Sequence, residues 1–240
     1  MDNSIAPLID STKTGVTGLE VTPKMLVELP EELRFQILAE VLRFPNGLHT
    51  DRWTLLLLAR VRKFLSIPTL GHMVSEALFN HNTVIIKLQH TSAMRTPWNE
   101  IFLIPRLVYP NRLLAHHVKN LELRIGHSLH PDFNTLGTST TGYGGLYLQW
   151  LQKLANHELG FDRLDTFKIL FLSTVEKIDL QLFLQDLLEF YGPMQFPCKK
   201  LLIEVSEKTF EDTGHPMAKL YKYRAALEKY LTASEQAPRV

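Results

Sequence analysis

The chain is 240 residues long, 45% hydrophobic and 21% charged, and its 26 basic and 25 acidic side chains leave a net charge of +1. That balance provides no large field to steer a polyanion, which sets aside a strongly basic nucleic-acid binder, and the length suffices for one good core or a small module joined to a larger one. Cys198 is the only cysteine, so no internal disulfide can form, and the composition fits a reducing compartment, the cytosol or nucleus.

In chain order, residues 1–22 are rich in Asn, Ser, Thr and Gly and lack a basic segment leading into an apolar core. They read as a disordered leader, with no secretory signal. Leu29-Pro30-Glu31-Glu32-Leu33 then carries a helix start: a proline in the first turn loses no hydrogen bond, and the two glutamates sit at the positive end of the helix dipole. Leu33, Ile37, Leu38, Val41 and Leu42 recur at helical spacing, which predicts a helix from Pro30 to about Arg43 with an apolar face too short to stand alone. Two more short helices are expected, Arg52 to about Phe64, capped by Asp51, and Thr69 to about Phe79, with Asn46-Gly47 and Pro68 as breaks. The apolar run Leu55–Ala59 stops at Arg60, far short of the ~20 residues a membrane span requires.

These residues resemble an F-box, specifically the degenerate F-box-like proteins of fungi, in which an L-P-x-E-L-R-x-x-I-L opening is followed by two more short helices. The resemblance covers about Leu29 to Asn82 and is most specific in its first fourteen residues; in the second half, Leu58–Phe64 keeps only the arginine and the aromatic of the family pattern. It implies adaptor work in a cullin-type ubiquitin ligase. Some of Leu29, Pro30, Leu33, Ile37 and Leu38 would then stay at the surface of the free protein and pack on a Skp-type adaptor, by the helix-in-groove mode of recognition.

From Asn82 onward the period changes. Val84-Ile86-Leu88, Leu121-Leu123-Ile125, Phe167-Ile169-Phe171 and Leu201-Ile203-Val205 each place apolar side chains on one face of a strand. The intervening stretches are long enough for crossovers, so the four strands are expected to be parallel. Two of the connecting helices carry apolar faces: Tyr147, Trp150, Leu151 and Leu154 before Gly160, and Leu180, Phe183, Leu184, Leu187, Leu188 and Tyr191, opened by the Ser173/Glu176 capping box and stopped by Gly192-Pro193. Lys87, Glu122, Arg124, Lys168 and Glu204 interrupt the second face of the strands, which is therefore expected to stay wet and to offer a row of side chains to a protein target. Helices on one side and polar residues on the other resemble a short, irregular leucine-rich-repeat arc, though without its L-x-x-L-x-L-x-x-N signature. A last helix, with Leu220, Tyr223, Leu227, Tyr230 and Leu231 on one side, is expected to close it.

A search for chemistry returns little. The stretch 137–145 is glycine-rich and precedes a helix, but lacks the lysine of a P-loop, and no G-x-G-x-x-G fingerprint follows the first strand. His116 and His117 with His127, His130 and Asp132 form the densest histidine cluster, without H-E-x-x-H spacing or a paired thiol for zinc. There is no G-x-S-x-G elbow, and Cys198 sits between an effect of Lys199 and Lys200 that lowers its pKa and a burial effect that raises it.

The expected organisation is an α/β chain: a leader over 1–22, an N-terminal three-helix F-box-like module over 23–81, a short irregular βα solenoid with a four-stranded parallel sheet over 82–232, and a flexible tail over 233–240. The expected function is an F-box-like substrate receptor that binds a Skp-type adaptor and a protein target, with no catalytic residue, cofactor or metal and no nucleic-acid or membrane partner. The alternatives are a stand-alone interaction or structural protein that no longer binds the ligase, and an enzyme built on the βα half.

Overall fold

A computed structural model describes residues 23–50, 61, 62, 64–95, 101–125, 143–171, 180–205 and 217–234. The first turn of helix is α1 (Pro23–Val27), followed at once by α2 (Glu31–Val41). Pro30 takes the N-cap position of α2, where its carbonyl accepts the first helical bond from the Arg34 N–H at 3.0 Å. A proline ring has no oxygen to cap the orphan N–H groups, and Glu31 and Glu32 instead place negative charge in the first turn. The Arg34 guanidinium folds back, its Nε donating to the Leu29 carbonyl at 2.8 Å, and this holds the bend between α1 and α2.

After β1 (Leu48–His49), α3 (Pro68–Asn80) starts on a first-turn proline and buries Leu70, Met73, Val74, Ala77 and Leu78 at spacings of three and four. It packs against α2. The helix expected over Arg52–Phe64 lies mostly outside the described residues, though Val61 and Phe64 are buried in the core.

The sheet is built from β1, β2 (Thr83–Arg95), β4 (Asn120–Ile125), β5 (Leu164–Phe171) and β7 (Cys198–Val205), which lie side by side in chain order and all pair in parallel. Only Thr83–Lys87 of β2 pairs with β4; from Leu88 onward β2 leaves the parallel sheet and forms an antiparallel hairpin with β3 (Ile101–Leu107). A short helix, α4 (Arg112–Ala115), capped by the Asn111 side chain, leads into β4. Each of the four strands read from the sequence is present, but among the described residues the sheet has six strands rather than four. The connection from β2 to β4, expected to be a long helix, is instead a hairpin and one helical turn.

The remaining helices among the described residues are α5 (Tyr143–Ala155), α6 (Leu180–Asp186) and α7 (Met217–Tyr230), with a π-helical turn over Leu187–Tyr191 directly after α6. Trp150 of α5 stands 6.4 Å from Phe167, and Phe183 of α6 5.4 Å from Phe171, so two successive helices cover the same face of β5. On that face Val84, Ile86, Leu121, Leu123, Phe167, Ile169 and Ile203 are buried in one cluster that also takes in Leu26, Leu38 and Leu42 from the first helices. Leu231, expected to end the last helix, begins β8 (Leu231–Ala233), which pairs in parallel with β6 (Met194–Phe196) as a separate two-stranded sheet.

The helical stretch and the sheet meet at Asn82, where the sequence changes period. Its side chain is 2% exposed and makes three bonds: Nδ2 donates to the Leu78 carbonyl at 2.7 Å and to the Leu42 carbonyl at 2.9 Å, while Oδ1 accepts from the Phe44 N–H at 2.6 Å. Strand β1, from inside the expected helical module, pairs with β2 beyond it. The sheet thus reaches back across position 82 and shares one core with α2 and α3.

Candidate functional site

Two surfaces carry the residues singled out from the sequence. On the first, the bend held by Arg34 leaves apolar side chains in water: Met25 is 53% exposed, Val27 40% and Leu33 45%, with Pro30 exposed and Leu29 and Ile37 half-buried beside them. Leu38 does not belong with them. It is fully buried with Leu42 and Leu26, because a helix that presents Leu33 outward turns the residue five positions later towards α3 and the sheet. Of the four remaining residues of the expected docking set, Leu33 and Ile37 lie on α2 and Leu29 and Pro30 just before it, and α1 adds the exposed Met25 and Val27, which the sequence reading did not single out. The available signal was the apolar run Met25-Leu26-Val27 directly ahead of Leu29. On α2's adjoining flank, Phe35, Gln36, Ala39, Glu40, Arg43 and His81 line a groove of about 480 Å³.

The second surface is the polar face of the sheet. Register places Glu122, Lys168 and Leu202 in one row across β4, β5 and β7, and Lys87, Arg124, Leu170 and Glu204 in another across β2, β4, β5 and β7. Four of the five expected residues are joined in one chain of ion pairs: the Arg124 guanidinium bonds Oε1 of Glu122, Lys168 Nζ lies 3.9 Å from Oε2 of Glu122, and the same ammonium is 2.7 Å from Glu204. Glu122 is buried, and a buried carboxylate requires paired charge around it, which explains why a cation flanks each of its oxygens. The alternation of sign at Glu122, Arg124, Lys168 and Glu204 is therefore in large part an internal device of the sheet. Its solvent-facing end is Glu204, whose side chain is 47% exposed.

Of the histidine cluster, the described residues include only His116 and His117. His116 and His117 stack with ring centroids 3.7 Å apart, and burial, helped by the neighbouring His116, holds the His117 pKa below its ordinary value. His127, His130 and Asp132 lie outside the described residues, as do the Ser173/Glu176 capping box and most of the glycine-rich stretch, of which Gly144 and Gly145 fall inside α5. Among the described residues no group of three or more His, Cys, Asp or Glu side chains converges as metal donors.

Cys198 is buried at the start of β7, and burial pushes its thiol up to about 11, outweighing the lowering effect of a backbone hydrogen bond from Phe167. Only about one thiol in a thousand is then ionised at pH 8. We expect a maleimide to label the native protein at least 100-fold more slowly than the urea-unfolded chain; equal rates in a stopped-time labelling assay would contradict the buried placement.

No protein-family model matches this chain, and neither the curated proteins nor the solved structures give a significant match to it. The class its fold defines is a mixed α/β protein with a parallel sheet. No helix among the described residues is long and apolar enough to cross a membrane.

Proposed function

We propose that this chain works through protein contacts, as an F-box-like substrate receptor: its first helices dock on a Skp-type adaptor and its βα half holds a protein target for ubiquitin transfer. The observation that carries the reading is the group of exposed apolar residues Met25, Val27, Pro30 and Leu33, with Leu29 half-buried beside them, on a protein that buries the neighbouring Leu26, Leu38 and Leu42 completely. Contiguous exposed apolar side chains with a polar rim are the mark of an interaction surface, and Glu28, Glu31 and Glu32 supply that rim.

The sheet supports a non-catalytic role for the second half. Its five parallel strands follow chain order without a reversal, and in open α/β sheets it is at the reversal point that ligands find their crevice. Addition of strands in one direction, with helices on one face, is also what an irregular βα solenoid requires. The proposed target-binding face is the polar side of the sheet, with Lys87, Arg124, Lys168 and Glu204 across its strands and the buried Glu122 holding the cations in place.

The test is co-expression with a Skp-type adaptor. Wild-type chain should retain it through affinity purification, and Leu33→Glu, which puts a charge into this apolar group at an exposed position, should lower the retained adaptor at least tenfold with no change in melting temperature. The Leu29→Ala/Pro30→Ala double variant should behave likewise. Failure of the wild-type protein to retain any adaptor would instead favour a stand-alone interaction protein using the same apolar group.

A further inference from the structure

Strand β7 ends the parallel sheet. It pairs with β5 on one side, and among the described residues no strand lies along the other and no backbone group of β7 bonds anything beyond β5. The strand is eight residues long. A row of unpaired N–H and C=O groups of that length is a template for one more strand.

The side chains select which strand fits. The polar face of the edge carries Lys200, Leu202 and Glu204, the two charges exposed and the leucine half-buried. Lys200 makes no ion pair among the described residues, and the neighbour that register gives it on β5 is Thr166. Glu204 is held at Oε2 by Lys168, but its side chain is 47% exposed, and a carboxylate accepts from more than one cation. A cation two residues before Leu202 and an anion two residues after it make the strand its own complement when reversed. In an antiparallel pair of two copies about a twofold axis at Leu202, Lys200 faces the partner's Glu204, and Glu204 the partner's Lys200.

Other registers lose this match. A slip of one residue turns the apolar face of one copy to the polar side of the other. A slip of two sets a charge against Leu202, and a slip of four sets lysine against lysine or glutamate against glutamate. Opposite charges facing each other across an antiparallel pair stabilise it and like charges destabilise it. Lysines on an edge ordinarily deter pairing, so this edge admits a strand that brings a carboxylate at the matching position.

We propose that the β7 edge is the interface of a homodimer, in which two copies pair antiparallel about Leu202 and join their sheets into one, with the two polar faces side by side. The interface is isologous, as a twofold dimer requires, and it uses none of the apolar residues of the first helices. Sedimentation velocity on the intact chain tests it. The 27.6 kDa chain should sediment as a dimer at micromolar concentration. Lys200→Glu, at an exposed position where folding is not at stake, sets like charges against each other on both sides of the axis. It should raise the dissociation constant about tenfold or more with no change in melting temperature. Glu204→Lys should do the same to the dimer, and an equimolar mixture of the two variants should recover it, because opposite charges then face each other again.

Register is read by crosslinking. Directly opposite residues of an antiparallel pair lie about 4.5–5.5 Å apart at Cα, within the span of a disulfide. Leu202→Cys should therefore crosslink to a second copy on mild oxidation, while the wild type, whose Cys198 is buried, should not. A wild-type chain that stays monomeric overturns the proposal, and so does a dimer that neither charge variant weakens. A monomer whose β7 amides lose their protection from deuterium exchange on deletion of residues 235–240 would overturn it too, and would assign the edge to that segment.

Discussion

Replacing Asn82 by alanine should lower the stability of this protein more than any other single polar substitution among the described residues. Its one side chain satisfies the carbonyls of Leu42 and Leu78 and the N–H of Phe44 at a position 2% exposed to water. Two of those groups lie just past or within the last turn of a helix, where carbonyls lose their helical partners: Leu42 is the C-cap of α2, and Leu78 is in the last turn of α3. Truncation leaves three backbone groups without the partner they had, each worth about 1 kcal/mol or more when buried. A loss of about 3–4 kcal/mol follows, or a fall of roughly 10 °C in melting temperature for a chain of this size.

Aspartate at the same site is the sharper test, because it has the same shape. It keeps an acceptor for the Phe44 N–H but turns a second oxygen towards two carbonyls. At pH 7 it should be at least as damaging as alanine. Burial and the facing carbonyls raise the carboxyl's pKa in the folded state above its unfolded value. Stability is then gained as the pH falls through the folded-state pKa towards the unfolded one, since the folded form takes up the proton first. The deficit relative to wild type should therefore shrink between pH 7 and pH 5. Thermal melts at the two pH values read this out; an alanine variant melting within 3 °C of wild type would remove Asn82 from its role.

That junction also marks where sequence and structure part. The strands β4, β5 and β7 and the first half of β2 were legible because β-branched, leucine and aromatic residues alternate there over five or more positions. β1 has two residues and β6 and β8 three each, too few for any period to register. β3 carries Pro105 opposite His90, beside a register shift in the ladder. Proline in a run argues against a strand, yet β3 is joined to the sheet only through β2, and an edge strand tolerates the missing N–H.

The apolar residues of α2 were legible for a similar reason, and their burial was misread for another. Leu33, Ile37, Leu38, Val41 and Leu42 wrap well around α2, so helical spacing alone assigns all of them to one apolar face. Which part is buried is decided by where α3 and β1 lie, and that is a long-range fact no window of α2 contains. Leu38 and Leu42 were claimed by the core, whereas Leu33 was not. The polar face of the sheet follows the same rule. Its charges could be listed from alternation, but the pairing of Lys168 with both Glu122 and Glu204 depends on the register of three strands.

Glycine positions separate backbone conformation from space, and of Gly71, Gly160 and Gly192 the most damaging substitution should be Gly160→Ala. Gly160 has a φ of +80°, which L side chains rarely adopt, and a Cβ there would come within 2.6 Å of Cγ and 2.9 Å of the carbonyl oxygen of Arg112. The flexible Cγ can move. The carbonyl belongs to the first residue of α4, whose Asn111 cap and buried Ala115 tie it to the core, so it yields only if the short helix shifts. Left-handed backbone adds about 1–2 kcal/mol for a residue with a Cβ, and the contact brings the total to about 2–4 kcal/mol, in the range of overpacked sites. Gly192 isolates the first part, with a φ of +69° and open space around it; alanine there should lose only about 1–3 kcal/mol. Gly71 lies inside α3 with nothing within 4 Å and an ordinary helical backbone, so Gly71→Ala should gain about 0.5–1 kcal/mol. The order of denaturation midpoints in urea is then Gly71→Ala above wild type, wild type above Gly192→Ala, and Gly160→Ala lowest. A Gly160→Ala midpoint at or above that of Gly192→Ala would mean that α4 does not press on residue 160, and with it would go the close packing of the turn after α5 against the start of α4.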